Sequence, residues 1–172
     1  MSRITAPVLV LMGVSGSGKS TVAAALAAQL GWPMLEGDDV HPPANVAKMA
    51  AGIPLVDEDR WPWLRSVAAW IDQRIGNNEP GIVTCSALKR AYRDVLRRDQ
   101  VVFVHLAGES ATIASRLQQR RNHYMSPTLL GSQLETLENL GPDEQGFVVG
   151  LTGTPVEQAG KIMSTLESLG RL

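Results

Sequence analysis

The sequence predicts an α/β fold, a mainly parallel sheet flanked by helices, and three observations carry that prediction. The continuous apolar run Val8-Leu9-Val10-Leu11-Met12 reads as a strand buried on both faces. A glycine-rich stretch, Gly13 to Ser20, follows at once and leads into an Ala- and Leu-rich helical segment, Thr21 to Leu30, stopped by Gly31. Strand-like and helix-like segments then keep alternating, as βα units do.

Gly13-Val14-Ser15-Gly16-Ser17-Gly18-Lys19-Ser20 fits G-x-x-x-x-G-K-S/T, the phosphate-binding loop, in the strand, loop and helix context that this motif requires. The spacing has a physical basis. A triphosphate must be held by many short hydrogen bonds, and glycines let the backbone turn its N–H groups inward without a side chain in the way. The following helix adds unpaired N–H groups and its positive dipole end. Lys19 supplies a mobile charge for the outer phosphates, and Ser20 a hydroxyl for Mg²⁺. Gly13, Val14, Ser15, Gly16, Ser17, Gly18, Lys19, Ser20 and Thr21 are therefore the candidate nucleotide contacts.

The remaining segments follow in order. Pro33 to Glu36 reads as a short second strand, and Gly37-Asp38-Asp39 turns the chain at its carboxyl end, where open parallel sheets bind ligands. Pro43 to Ala51 is predicted helical, with Gly52 ending it and Ile53 to Asp59 as a loop. Trp63, Val67, Trp70, Ile71 and Ile75 share one face of a helix over Trp61 to Ile75, so its tryptophans read as core or helix interface rather than ligand platforms. Gly81 to Cys85 is the third strand, Lys89 to Arg98 a helix, Val101 to Leu106 the fourth strand, Phe147 to Leu151 the fifth, and Val156 to Leu169 the closing helix. Between the last two strands, Glu109 to Arg120 and Pro127 to Glu138 look helical around a polar break at Arg121 to Ser126. An insertion there, at about 116–138, reads as a lid.

With 172 residues, the chain suits a single α/β domain over 1–172 with a sizeable core. A net charge of −1 argues against the nucleic-acid backbone as partner. Twelve of the sixteen basic residues are Arg, and many lie between Arg90 and Arg121, which suits a local basic face or a plain solvated helix surface. Cys85 is the only cysteine, so an internal disulfide is excluded and a reducing compartment is expected. No stretch near the N-terminus is long enough for a signal peptide or a membrane span, so the expected location is the cytoplasm, with no membrane partner.

A phosphate loop alone does not distinguish a kinase from a GTPase or a motor-like ATPase. Asp38, just after the second strand, falls within reach of a γ-phosphate, where a carboxylate can accept the proton of an incoming hydroxyl and help hold the metal's water shell. The plainer reading is an Asp that caps a turn.

Glu36-Gly37-Asp38, His41-Pro42, Asn45, Lys48-Met49, Gly52, Pro54-Leu55, Asp57, Asp59-Arg60 and Pro62-Trp63-Leu64 together resemble the signature of gluconate kinases, which are shikimate-kinase-like small-molecule kinases. Cys85-Ser86-Ala87-Leu88-Lys89-Arg90, with Tyr92-Arg93 and Leu96-Arg97, looks like the next block of that family. Ser115-Arg116-Leu117, Arg120, His123, Gln133 and Glu135-Thr136-Leu137-Glu138 resemble its lid, although Asn122, Tyr124 and Leu134 depart from the pattern there. The resemblance runs from about Val10 to Val156.

It implies a P-loop kinase fold with sheet order 2-3-1-4-5, ATP and Mg²⁺ as cofactors, and transfer of a phosphoryl group to D-gluconate. Carried over by position, Lys19 and Arg120 clamp the moving group, with Arg116 able to share the role of Arg120, and Asp38 orients or deprotonates the sugar hydroxyl. Ser20 and Asp38 are the metal candidates. Thr152 to Pro155 falls where relatives place the adenine-binding turn, which makes Pro155 a nucleotide contact. Gluconate brings a carboxylate, so its pocket needs a fixed cation. Lys48, Arg60, Arg90, Arg93 and His41 are the candidates, with His123 joining from the lid; His41 equally suits the start of the Pro42-Pro43 helix. A homodimer is expected by family analogy. The alternatives are another small-acceptor kinase such as a shikimate kinase, or a nucleotide-binding regulatory module, which the lack of a guanine-reading N/T-K-x-D stretch disfavours.

Overall fold

The computed structural model describes residues 5–108 and 127–172, with the backbone alone for 127–130. Strand β1, Val8–Met12, is wholly buried, which is why its sequence lacks the alternation of a half-exposed strand. Its neighbours are β3, Gly81–Thr84, on one side and β4, Val101–Ala107, on the other. β2, Met34–Glu36, lies outside β3, and β5, Gly146–Gly150, outside β4. Every pairing is parallel and the order is β2-β3-β1-β4-β5, as the family resemblance implies.

Helix α1, Lys19–Leu30, packs against the last helix, while α3, Asp57–Gly76, packs against α4, Arg90–Leu96. α1 and α3 both rest on β1 and β3 without pairing with each other, so they cover opposite faces of the sheet. Short α2, Pro43–Ala50, follows a 3₁₀ turn at Gly37–Val40. α5, Pro127–Thr136, precedes β5, and α6, Pro155–Ser168, closes the chain behind a Thr154 cap whose hydroxyl accepts from the Glu157 N–H. Among the described residues no helix is long and apolar enough to cross a membrane.

Several boundaries differ from expectation, and three of them have a visible local cause. α1 begins at Lys19 rather than Thr21, because Gly18 takes a left-handed conformation that lets the loop run straight into the helix. α3 begins at Asp57 rather than Trp61, since Asp59 Oδ2 accepts the Val56 N–H at 2.9 Å and stabilises a first turn ahead of Pro62. α4 stops at Leu96, where Arg97 turns extended. The polar break and the segment before α5 lie outside the described residues.

Parallel strands end on one edge of the sheet, so the chain leaves β1, β2, β3 and β5 at the same rim. That rim carries the candidate site.

Candidate active site

The phosphate loop is shaped by backbone conformations that side chains rarely adopt. Gly13, Gly16 and Gly18 have φ of 143°, 86° and 92°. A Cβ on Gly13 would sit 2.7 Å from the Leu106 carbonyl and 2.9 Å from Ser17 Oγ, so the first position admits only glycine. Lys19 Nζ donates to the Gly13 and Val14 carbonyls at 2.9 and 3.0 Å, which holds the ammonium over the loop. The Ser15 N–H donates to Gln133 Oε1 of α5 at 2.7 Å. Gln133 thus touches the anion cradle, a contact that only its presence in the lid block could have hinted at.

Beside the loop, Ser20 Oγ donates to Glu36 Oε2 at 2.9 Å, and the Thr84 hydroxyl donates to the same oxygen at 2.7 Å. Glu36 went unassigned in the sequence reading; its signal was the acid-glycine-acid run at a strand end. Gly37 follows with its N–H donating to Thr84 Oγ1, and a Cβ there would meet the Thr84 carbonyl at 2.0 Å. That close approach fixes where the chain turns and sends Asp38 toward the loop.

Two hollows meet at Asp38. The smaller, about 390 Å³, is lined by Ser15, Gly16, Gly18, Lys19 and Ser20 of the phosphate loop with Thr84, Cys85 and Ser86; the larger, about 600 Å³, by His41, Met49, Pro54, Leu55, Arg60, Trp63, Leu88 and Gln133 among others. Ser15, Lys19, Asp38 and Ser86 line both. The Asp38 side chain is 63% exposed, with His41 Nε2 3.9 Å from its Oδ1. His41 stacks on Trp63 with ring centroids 4.1 Å apart, and Trp63 Nε1 donates to the Gly37 carbonyl at 2.8 Å. Trp63 is therefore both core and cleft wall. Burial pushes the His41 imidazole down to about 4, against the pull of Asp38 and with that of Arg60, so it is neutral at pH 7. Burial also drives the Cys85 thiol up to about 12, which makes it inert.

Of the expected acceptor cations, Arg60 and His41 line the larger hollow; three others lie elsewhere. Arg93 is sunk in an ion pair with Glu144, at 2.6 Å, both side chains at most 3% exposed. Its Nη1 also donates to the Ala87 and Leu88 carbonyls, so its charge is committed to the fold. Arg90 makes a two-pronged pair with Asp143 on the outer surface, which holds the Asp143 carboxyl down at about 2. Lys48 Nζ pairs with Asp59 at 2.8 Å, outside the cleft wall. Each has a carboxylate partner that spacing along the chain could not reveal. Gly13, Val14, Ser17, Thr21 and Pro155 line neither hollow, and Arg116, Arg120 and His123 lie outside the described residues.

Among the described residues no carboxylate forms an ion pair with Arg60; its Nη1 donates to Tyr92 Oη at 2.9 Å. Tyr92 in turn donates to Asp57, which also receives Lys89. The arginine is held at its guanidinium end by Tyr92 and lines the cleft.

Residues 8–138 match a family model described as an AAA domain. With a phosphate loop after β1, acids after β2 and an adjoining cleft that shares its wall, the chain is a P-loop kinase. It is 51% identical to a gluconokinase of Gluconobacter oxydans over 138 residues, 79% of this chain and 78% of that one. The thermoresistant gluconokinase of Escherichia coli is 44% identical over 93% of this chain and 91% of its own. A solved gluconokinase of Sinorhizobium meliloti superposes with a TM-score of 0.81 at 43% identity, covering 97% of both chains. The chain belongs to the gluconokinase family.

Proposed function

We propose that the chain transfers the γ-phosphoryl group of ATP to the terminal hydroxyl of D-gluconate, giving 6-phospho-D-gluconate and ADP. The observation that carries this reading is the common wall of Ser15, Lys19, Asp38 and Ser86 between the phosphate hollow and the cleft. A donor and an acceptor seated on the two sides face each other across Asp38. Positioning of that kind, with cations around the moving group, is most of what phosphoryl transfer needs from a protein.

Asp38 takes the proton of the attacking hydroxyl as the new O–P bond forms and the bond to the β-phosphate oxygen breaks. Lys19 balances charge on the outer phosphates from its place over the loop. Ser20 and Glu36 fit Mg²⁺: the serine hydroxyl donates to the acid and keeps lone pairs for the ion, and no cluster of three or more His, Cys, Asp or Glu that would make a protein-only cage occurs among the described residues. When bound, Mg²⁺ supplies charge neutralisation to the phosphates, and Asp38 lies on the rim of the same hollow. Arg60 takes the gluconate carboxylate, because it is the cleft arginine that no described carboxylate has claimed. Arg120, with Arg116, acts as the second clamp on the phosphoryl group, His123 joins the acceptor contacts, and the backbone near Pro155 receives the adenine. The enzyme works in the cytoplasm as a homodimer.

An ADP-release assay over gluconate, other aldonates, shikimate and no acceptor tests the reading. Turnover is expected with gluconate well above the acceptor-free rate. Preference for shikimate, or equal turnover without acceptor, would refute it.

A further inference from the structure

The environment of His41 fixes more than its charge. Asn45 is buried, and its side-chain nitrogen lies 2.8 Å from the Asp59 carbonyl and 3.2 Å from His41 Nδ1. A backbone carbonyl only accepts, so the atom facing it must be the amide nitrogen, which only donates. The same nitrogen's second hydrogen therefore points at Nδ1, and Nδ1 must carry a lone pair. In a neutral imidazole the proton is then on Nε2. That nitrogen lies 3.9 Å from Asp38 Oδ1, too far for a direct hydrogen bond, in a side chain that lines the cleft wall and is itself 3% exposed.

We propose that Asn45 locks His41 as its Nε2–H tautomer, so that His41 and Asp38 together form a donor-acceptor pair that receives one hydroxyl of the acceptor. A hydroxyl oxygen placed roughly 2.8 Å from both atoms spans the gap, accepting from His41 and donating to Asp38. That polarity aims the hydroxyl proton at Asp38, occupies one lone pair, and leaves the other for attack. The Trp63 ring fixes the remaining freedom: it stacks on His41 and, through its bond to the Gly37 carbonyl, ties the imidazole to the turn that carries Asp38. Asn45 acts here as a positioning residue, and His41 as a substrate contact. The role in catalysis rests on the proposed gluconate reaction; the tautomer does not.

The first measurement is therefore a long-range ¹H–¹⁵N correlation spectrum of the whole protein at pH 7, with the His41 signals assigned by their loss in His41→Gln. A protonated Nε2 and an unprotonated Nδ1 are expected; the reverse pattern, or rapid exchange between tautomers, overturns the lock whatever the substrate is. The second is steady-state kinetics with gluconate. A glutamine amide can reach the position of Nε2–H, whereas phenylalanine keeps only the stacking on Trp63. His41→Phe is expected to lower kcat/KM for gluconate about ten-fold or more, the size of one lost hydrogen bond, with KM for ATP unmoved and His41→Gln recovering most of the loss. Phe and Gln variants that fall equally, or a Phe variant with wild-type kinetics, overturn the hydroxyl contact. Asn45→Leu should release the tautomer in the spectrum and reduce kcat; because Asn45 is buried, the His41 pair and the wild-type spectrum decide the matter if that variant does not fold.

Discussion

Asp38 and Arg60 face the same cleft with opposite charges, and the chemistry assigned to each predicts a different kinetic signature. In the proposed reaction Asp38 touches the reacting hydroxyl, so Asp38→Asn should cut kcat by about 10² to 10⁴ while ATP affinity measured by titration stays put. Equal loss of both would make Asp38 a metal or folding residue. In the proposed reaction Arg60 holds the gluconate carboxylate, which does not react, so Arg60→Met should raise KM for gluconate by about 10- to 100-fold, the worth of a charged hydrogen bond, with KM for ATP unchanged. An unaltered gluconate KM would move the carboxylate elsewhere. Two buried imidazoles add a pH dependence. Burial is the main cause holding both His41 and His105 below the ordinary histidine range, with Arg93 and Lys19 adding to it at His105. The unfolded chain then binds more protons than the native one as pH falls from about 6.5, so stability is complete above that value and declines below it. Thermal melts from pH 8 to 5 should show a flat Tm that drops under pH 6.5; a Tm flat to pH 5 would contradict neutral, buried imidazoles.

At the scale of elements, two devices place the site. One is the turn after β2. The Thr84 carbonyl of β3 crowds Gly37 so closely that a methyl group has no room, and the φ of Gly37 plays no part in this. Gly37→Ala should therefore push the turn off β3 and displace Asp38, with gluconate phosphorylation lost and nucleotide binding kept, as separate titration and activity measurements would show. The other is the Arg93–Glu144 pair, which joins α4 to the chain entering β5 and also holds the loop after β3, where Ala87 sits at φ 45°. Burial alone would raise the Glu144 carboxyl, but hydrogen bonds from Arg93 and the Gly141 N–H outweigh it and keep the acid below its ordinary range. Removing one partner strands a buried charge. Arg93→Met should cost about 3–5 kcal/mol, a Tm loss on the order of 10 °C by calorimetry. A loss under 1 °C would show that the pair contributes little.

Over the whole molecule, nucleotide binding and stability are linked, because the phosphate loop is bonded to several parts of the fold at once. Lys19 closes the loop on itself, Ser15 reaches α5 through Gln133, Gly13 donates to the Ser86 carbonyl, and Ser20 reaches β2 through Glu36. A phosphate that takes the Ser15 N–H replaces the amide oxygen of Gln133 with a charged acceptor, which makes the stronger bond. Mg-ATP at about 100 times its Kd should add about 2.7 kcal/mol, or roughly 5–10 °C of Tm for a chain of this size. Scanning fluorimetry should show that shift in the wild type and its near disappearance in Lys19→Ala.

The sequence by itself determined the donor half of this protein. The phosphate loop is contiguous, its function is set by local backbone conformation and by one lysine and one serine at fixed spacing, and the apolar run of β1 could only be a central strand. Asp38 was legible for the same reason, since it lies two residues past a strand end that the parallel sheet places at the ligand rim. Only the tertiary structure separated the candidates for the acceptor half. Arg60, Arg90 and Arg93 look alike as candidates along the chain, yet Asp143 and Glu144, some fifty residues on, draw away two of them and leave the first to the cleft. Glu36 beside Ser20, and Asn45 behind His41, emerged in the same way. Which charge pairs with which depends on distances across the fold, and a sequence orders residues along the chain without stating those distances.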